Sequence, residues 1–188
     1  MRKLLSIFVL AILFSSSAHA LYTELGISYG KKQTTYDQYN YFDSESLTGS
    51  ISFYFLERLA LELSYTDATG THGEKAIATD PRRITTQKSQ IIGADLIYVL
   101  TDKTSTFQPY IKGGVAQINR RQDINIEGEG DFPLDPDNAI VPSYGVGIKI
   151  MITDSLSLKF SYDVWRTPIG GGQQTDDDAI RAGISWVL

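Results

Sequence analysis

The stretch that decides the fold is Ser143–Trp165, SYGVGIKIMITDSLSLKFSYDVW. Taken in steps of two, Tyr144, Val146, Ile148, Ile150 and Ile152 form one row, with Gly145, Gly147 and Lys149 between them. After Thr153-Asp154-Ser155 the alternation resumes: Leu156, Leu158, Phe160, Tyr162 and Val164 against Ser157, Lys159, Ser161 and Asp163. Period-two alternation on both sides of a short polar turn predicts a β-hairpin. Each arm is about ten residues, long for a soluble strand and suited to a tilted strand crossing a bilayer. In a soluble sheet the apolar row would face a core and the lysines water. In a membrane barrel the apolar row faces lipid and the lysines face a polar lumen.

Working outward, the same alternation recurs. Leu25, Ile27 and Tyr29 stand opposite Glu24, Gly26 and Ser28; Leu47 to Phe55 opposite Ser46 to Tyr54; Leu61, Leu63 and Tyr65 opposite Glu62 and Ser64. Ile92, Ala94, Leu96 and Tyr98 lie opposite Gly93, Asp95 and Ile97, a segment apolar on both rows in places. Ile111, Gly113 and Val115 lie opposite Tyr110, Lys112 and Gly114, and Ile180 to Leu188 opposite Arg181, Gly183 and Ser185. About eight strands result. The connections near Glu57, Asp102 and Asp154 are short; those over Lys32–Ser44, Asp67–Thr86, Arg120–Val141 and Arg166–Asp176 are long and polar. Alternation of long and short connections predicts an all-β fold, an eight-stranded antiparallel up-and-down transmembrane β-barrel with its turns at one end and its loops at the other.

Residues 1–20 have the pattern of a cleaved secretory signal peptide. Arg2 and Lys3 are followed by an apolar run to Phe14, and Ala18-His19-Ala20 forms a small-x-small site. Residues 21–188 are then one barrel domain. The formal net charge is −5, and loss of Arg2 and Lys3 makes it more negative, which argues against a nucleic-acid partner. With no cysteine, an exported chain must hold together without disulfides.

On the rows opposite the apolar ones lie Glu24, Glu62, Asp95 and Asp163 with Lys112, Lys149, Lys159 and Arg181. Balanced signs can pair, and unpaired buried charge is costly, so the eight are predicted to form an ion-pair network in the lumen. Tyr29, Tyr65, Tyr144 and Tyr162 toward the loops, and Phe55, Tyr98, Phe107 and Trp186 toward the turns, suit interfacial girdles.

The chain resembles the small eight-stranded outer-membrane barrels, namely the transmembrane domain of outer-membrane protein A and the OmpX/Ail-type proteins, over Leu21–Leu188. The motifs that carry the resemblance are Pro109-Tyr-Ile-Lys-Gly-Gly114, the Gly145-Val-Gly147 hairpin and the terminal octet Arg181–Leu188. In that octet Arg181, Gly183, Trp186 and Leu188 resemble the polar-x-Gly-x-x-hydrophobic-x-aromatic signal read by the barrel-assembly machinery, with leucine where the family usually has phenylalanine. The resemblance implies a monomeric integral outer-membrane protein of a Gram-negative bacterium, in contact with outer-membrane lipid and lipopolysaccharide. It implies a structural or surface role (envelope integrity, adhesion or host-factor binding) with no catalysis and no cofactor.

Rival chemistry is thin. After export a single histidine remains, His72, in a loop, which is little for the base–nucleophile pair a lipid-modifying enzyme needs. The acidic stretches 131–138 and 176–178 lack calcium-loop spacing. A narrow pore is the other alternative, although about eight strands leave a lumen that side chains fill. For an extracellular protein partner, the contact candidates are the first-loop aromatics Tyr36, Tyr39, Tyr41 and Phe42, and Ile124 and Ile126. The last two alternate with polar residues and predict a strand running above the membrane with a free edge. Lys75, Arg82, Arg83 and Lys88 make the second loop region basic, able to pair with lipopolysaccharide phosphates.

Overall fold

The computed structural model describes residues 21–35, 39–74, 81–128, 130–134, 138–170 and 173–188; residues 1–20, expected to be a signal peptide, lie outside them. Among the described residues nine strands form: β1 (Tyr22–Thr35), β2 (Tyr41–Leu56), β3 (Leu59–Glu74), β4 (Arg83–Val99), β5 (Phe107–Ile126), β6 (Gly130–Leu134), β7 (Ala139–Met151), β8 (Leu156–Gly170) and β9 (Gln173–Val187). Each pairs antiparallel with its neighbour, β5 passes on to β7, and β9 returns to β1 through Glu24↔Val187 to Gly30↔Arg181. The result is a closed eight-stranded up-and-down barrel, which leaves no edge along the wall. The ninth strand, β6, pairs only with the far end of β5 among the described residues and lies outside the ring.

The short turns lie together at one end. Glu57 and Arg58 join β2 to β3, and Arg58 forms an ion pair with Asp102 of the next turn, tying the two together. In the third turn the Thr153 hydroxyl oxygen accepts from the amides of Ser155 and Leu156, at 3.3 and 3.0 Å.

At the opposite end the strands run much further than the sequence pattern predicts. Asp67–Glu74, expected as loop, is the outer half of β3, paired with Tyr41–Leu47 on one side and Arg83–Gln90 on the other. Arg166–Gly170 and Gln173–Asp176, also expected as loop, extend β8 and β9, whereas the continuation of β5 over Arg120–Ile126 is the one that the alternation at Ile124 and Ile126 predicts. The reason is physical. A spanning strand needs roughly nine to eleven residues, whereas β2 to β5 have 16, 16, 17 and 20. Beyond the lipid both faces meet water, so the apolar alternation stops, but the backbone ladder continues to satisfy its own donors and acceptors. The switch shows on the outer row: Leu47 gives way to Glu45, Tyr65 to Asp67, Ile92 to Gln90 and Val115 to Gln117.

The wall is inside-out relative to a soluble protein. Leu25, Ile27, Leu63, Leu96, Ile111, Val146, Phe160 and Ile184 face outward, as do all eight girdle aromatics, while Glu24, Glu62, Asp95, Lys149, Asp163 and Arg181 are buried. Such an outer surface is stable only against hydrocarbon.

Candidate functional site: the charged lumen and the protruding sheet

All eight charges of the inward rows are brought together in the middle of the lumen. Lys149 of β7 donates to Glu24 of β1 at 2.8 Å and to the Tyr54 hydroxyl at 2.8 Å. Lys159 pairs with Glu62, which also accepts from Ser52 at 3.1 Å. Lys112 sits between three carboxylates, with Asp163 at 2.9 Å, Glu62 at 3.4 Å and Asp95 at 3.6 Å. Arg181 donates to Asp163 at 2.6 Å, and Ser143 donates to Asp95 at 2.5 Å. Each carboxylate therefore has a cation, and the network crosses the lumen between strands that are not neighbours. Glycines make the room. A β-carbon on Gly145 would meet Asp163 and Lys112, and one on Gly147 would overlap the Tyr110 ring.

Two apolar layers enclose the charges, and alternation alone does not single them out. Toward the turns, Tyr54, Ala60, Ile97, Val99 and Tyr110 pack together, with Tyr22 stacked on Tyr54 at 4.1 Å between ring centres. Gln108 closes that end by donating to the carbonyls of Lys103 and Ser105. Toward the loops, Ala116, Ile118, Val141 and Trp165 form a second layer with Ile91, Ala139 and Ala179, and the Arg181 guanidinium lies 4.8 Å from the Trp165 ring. The available signal was β4, apolar on both rows: Ile91, Ile97 and Val99 belong to these inner layers. The internal cavities between them are about 20 and 10 Å³, each room for about one water.

At the seam, Arg181, Gly183, Trp186 and Leu188 separate by side. Arg181 is in the lumen, Trp186 and Leu188 are exposed on the outer wall, and a β-carbon on Gly183 would strike the Ile27 carbonyl and Ser28 of β1. The Leu188 amide donates to the Thr23 carbonyl at 2.8 Å. Where β1–β9 pairing ends at Gly30↔Arg181, Lys32 bridges the opening to Asp178 at 2.6 Å.

The protruding end differs from expectation in three places. First, Tyr36 and Lys75 lie outside the described residues. Tyr39 is exposed beside the Arg82 guanidinium at 5.5 Å, whereas Tyr41 and Phe42 belong to β2 and are half-buried, Phe42 near His72. Second, Ile124 and Ile126 have no free edge: β5 is paired there with β4 through Thr85 and Arg83, and with β6 through Phe132 and Gly130. The five-residue β6, folded back through Gly128 and Gly130 with φ of 88° and 105°, takes the edge instead. Third, His72 is in β3, with Nε2 3.2 Å from Glu74. Of the acidic stretches, Asp177 pairs with Arg120, Asp178 with Lys32, and Asp131 accepts from Asn125.

A closed barrel with an apolar outer wall, a neutralised lumen and strands extended beyond one end defines an integral outer-membrane β-barrel. The chain belongs to the outer membrane protein β-barrel domain family, whose model matches residues 6–187. Its fold is similar to the N-terminal β-barrel domain of Pseudomonas aeruginosa OprF (17% identity, 88% of this chain and 97% of that one, TM-score 0.57). It is similar too to Neisserial surface protein A, NspA (17% identity, 88% and 96%, TM-score 0.56), and to Ail, the attachment invasion locus protein of Yersinia pestis (11% identity, 89% and 98%, TM-score 0.58). No curated protein matches the sequence.

Proposed function

We propose that this outer-membrane protein is a non-catalytic surface-interaction barrel, a monomer whose lumen is structural and whose protruding strands present a contact surface to the exterior. The observation that carries this reading is the layered lumen: eight mutually paired charges between two apolar layers make a rigid post for the sheet above. On this reading the contact element is the β5–β6 hairpin, since β6 pairs with β5 alone among the described residues and its other edge is open along its whole length. On the same reading residues 1–20 direct export, the C-terminal strand is read by the barrel-assembly machinery, and lipopolysaccharide phosphates pair with Lys88 and Arg121, which are exposed opposite one another on β4 and β5.

The test is surface display in an adhesion-negative Gram-negative host, with binding to mammalian cells and matrix proteins measured. Shortening the hairpin by replacing residues 123–134 with a tight turn is expected to abolish binding while leaving heat-modifiable gel mobility intact. Full binding by that variant would remove the hairpin from the contact surface. Loss of fold is distinguished by the gel. Planar-bilayer recordings separate this reading from a pore, since the sealed lumen is expected to give no discrete conductance steps.

A further inference from the structure

Above the outer apolar layer the barrel opens into a vestibule at the loop end, formed by two adjoining lobes of about 200 and 280 Å³ that share Phe42, Ser44, Ala68, Gln87 and Ser89. Its floor is Ile91, Ile118 and Trp165, and Phe42 stands in one wall. Hydroxyls and amides dominate the remaining wall: Ser44, Ser46, Thr66, Thr85, Gln87, Ser89 and Gln122, all on β2 to β5. Gln122 donates to Gln87 at 2.8 Å, which orients both amides. The charged residues of the opposite wall are spent on each other, Lys32 with Asp178 and Arg120 with Asp177, and Arg181 below them is held by Asp163.

We infer that this vestibule binds a small neutral saccharide. The size is within the usual range of ligand pockets, roughly 300–1,000 Å³ when the two lobes are taken together. A ligand here must satisfy many neutral donors and acceptors along one side and cover apolar rings and methyls along the other. A sugar ring does both, with hydroxyls at its edge and C–H groups on its face. Lys32, Arg120 and Arg181 each already have a carboxylate partner, and His72 in the second lobe faces Glu74, so the lining favours a neutral ligand over a sulfate or phosphate. The inference goes beyond the proposed contact role of the β5–β6 hairpin and rests only on the loop end facing the exterior.

The test uses the intact barrel refolded in lauryldimethylamine oxide micelles, whose head group carries no sugar. Saturation-transfer NMR and calorimetry are run with maltose, lactose, sucrose octasulfate and triglycine. Maltose or lactose is expected to show saturable transfer to its ring protons. Gln87→Ala, which deletes wall donors, and Ala68→Leu, which fills the shared wall, should weaken it at least about tenfold; the lipid-face control Ile184→Ala should not change it. Heat-modifiable mobility shows that each variant is folded. Absence of transfer to either sugar in folded protein overturns the inference. So does binding that Ala68→Leu leaves unchanged, or tighter binding of the octasulfate or the tripeptide. Survival of sugar binding in the hairpin-shortened protein separates this site from the proposed contact element.

Discussion

Lys149 of β7 and Glu24 of β1 meet at 2.8 Å across the lumen, from strands with no backbone contact and 125 residues apart in sequence. The pair cross-braces the barrel. Removing one partner leaves a buried charge without compensation, so Glu24→Leu or Lys149→Met alone is expected to cost roughly 3–5 kcal/mol. The double variant Glu24→Leu/Lys149→Met should recover most of it. Urea unfolding of vesicle-inserted protein, read as a double-mutant cycle, measures the coupling; additive losses would show that the pair does not brace.

Lys159 and Phe160 are sequence neighbours on opposite sides of the wall. A cysteine-reactive probe confined to the bilayer is expected to label Phe160→Cys and spare Lys159→Cys. The reverse result would displace β8 by one residue and turn its charges into lipid.

Gly147 faces the Tyr110 ring and, beside it, the Phe160 carbonyl, whereas Gly183 faces the β1 backbone. Gly147→Ala is expected to destabilise by about 1–3 kcal/mol through overpacking, with partial recovery when Tyr110→Ser removes the ring. Gly183→Ala meets main chain, so no side-chain truncation should rescue it. Heat-modifiable mobility of the two pairs, with and without the second substitution, distinguishes them.

The last strand carries both closure and the proposed assembly signal. Deleting 186–188 removes Trp186, the Leu188–Thr23 backbone bond and the end of the β1–β9 ladder. Unfolded periplasmic protein is the expected outcome, scored by fractionation and protease sensitivity; normal surface levels would assign closure to residues further up the strand.

The sequence made part of this legible. Period two suffices to place Glu62 and Lys159 on inward rows, because one face of every spanning strand must satisfy lipid. It does not say that Lys159 reaches Glu62, or that Lys112 stands between Asp163, Glu62 and Asp95, since stagger between distant strands is a property of closure. Ile97 and Trp165 were readable as inward by parity, yet nothing local marks them as members of apolar layers. Above the membrane the pattern loses its driving asymmetry, so the outer half of β3 reads as loop while β5 stays legible through Ile124 and Ile126, and the short β6 that covers the edge at Ile124 gives too few residues to register.

The meeting of β1 with β9 also sets an order of events. Every other pairing in the ring joins strands close in sequence and can zip locally once its turn forms. The β1–β9 ladder must close a loop comprising nearly the whole chain, and that entropy is lost before any of its bonds form. It is also short, from Glu24↔Val187 to Gly30↔Arg181, with the Lys32–Asp178 pair just above. Until that ladder forms, the growing sheet has two raw edges, so the kinetic bottleneck of this protein is a single lateral zipper, and the last strand delivered is the one that ends the exposure.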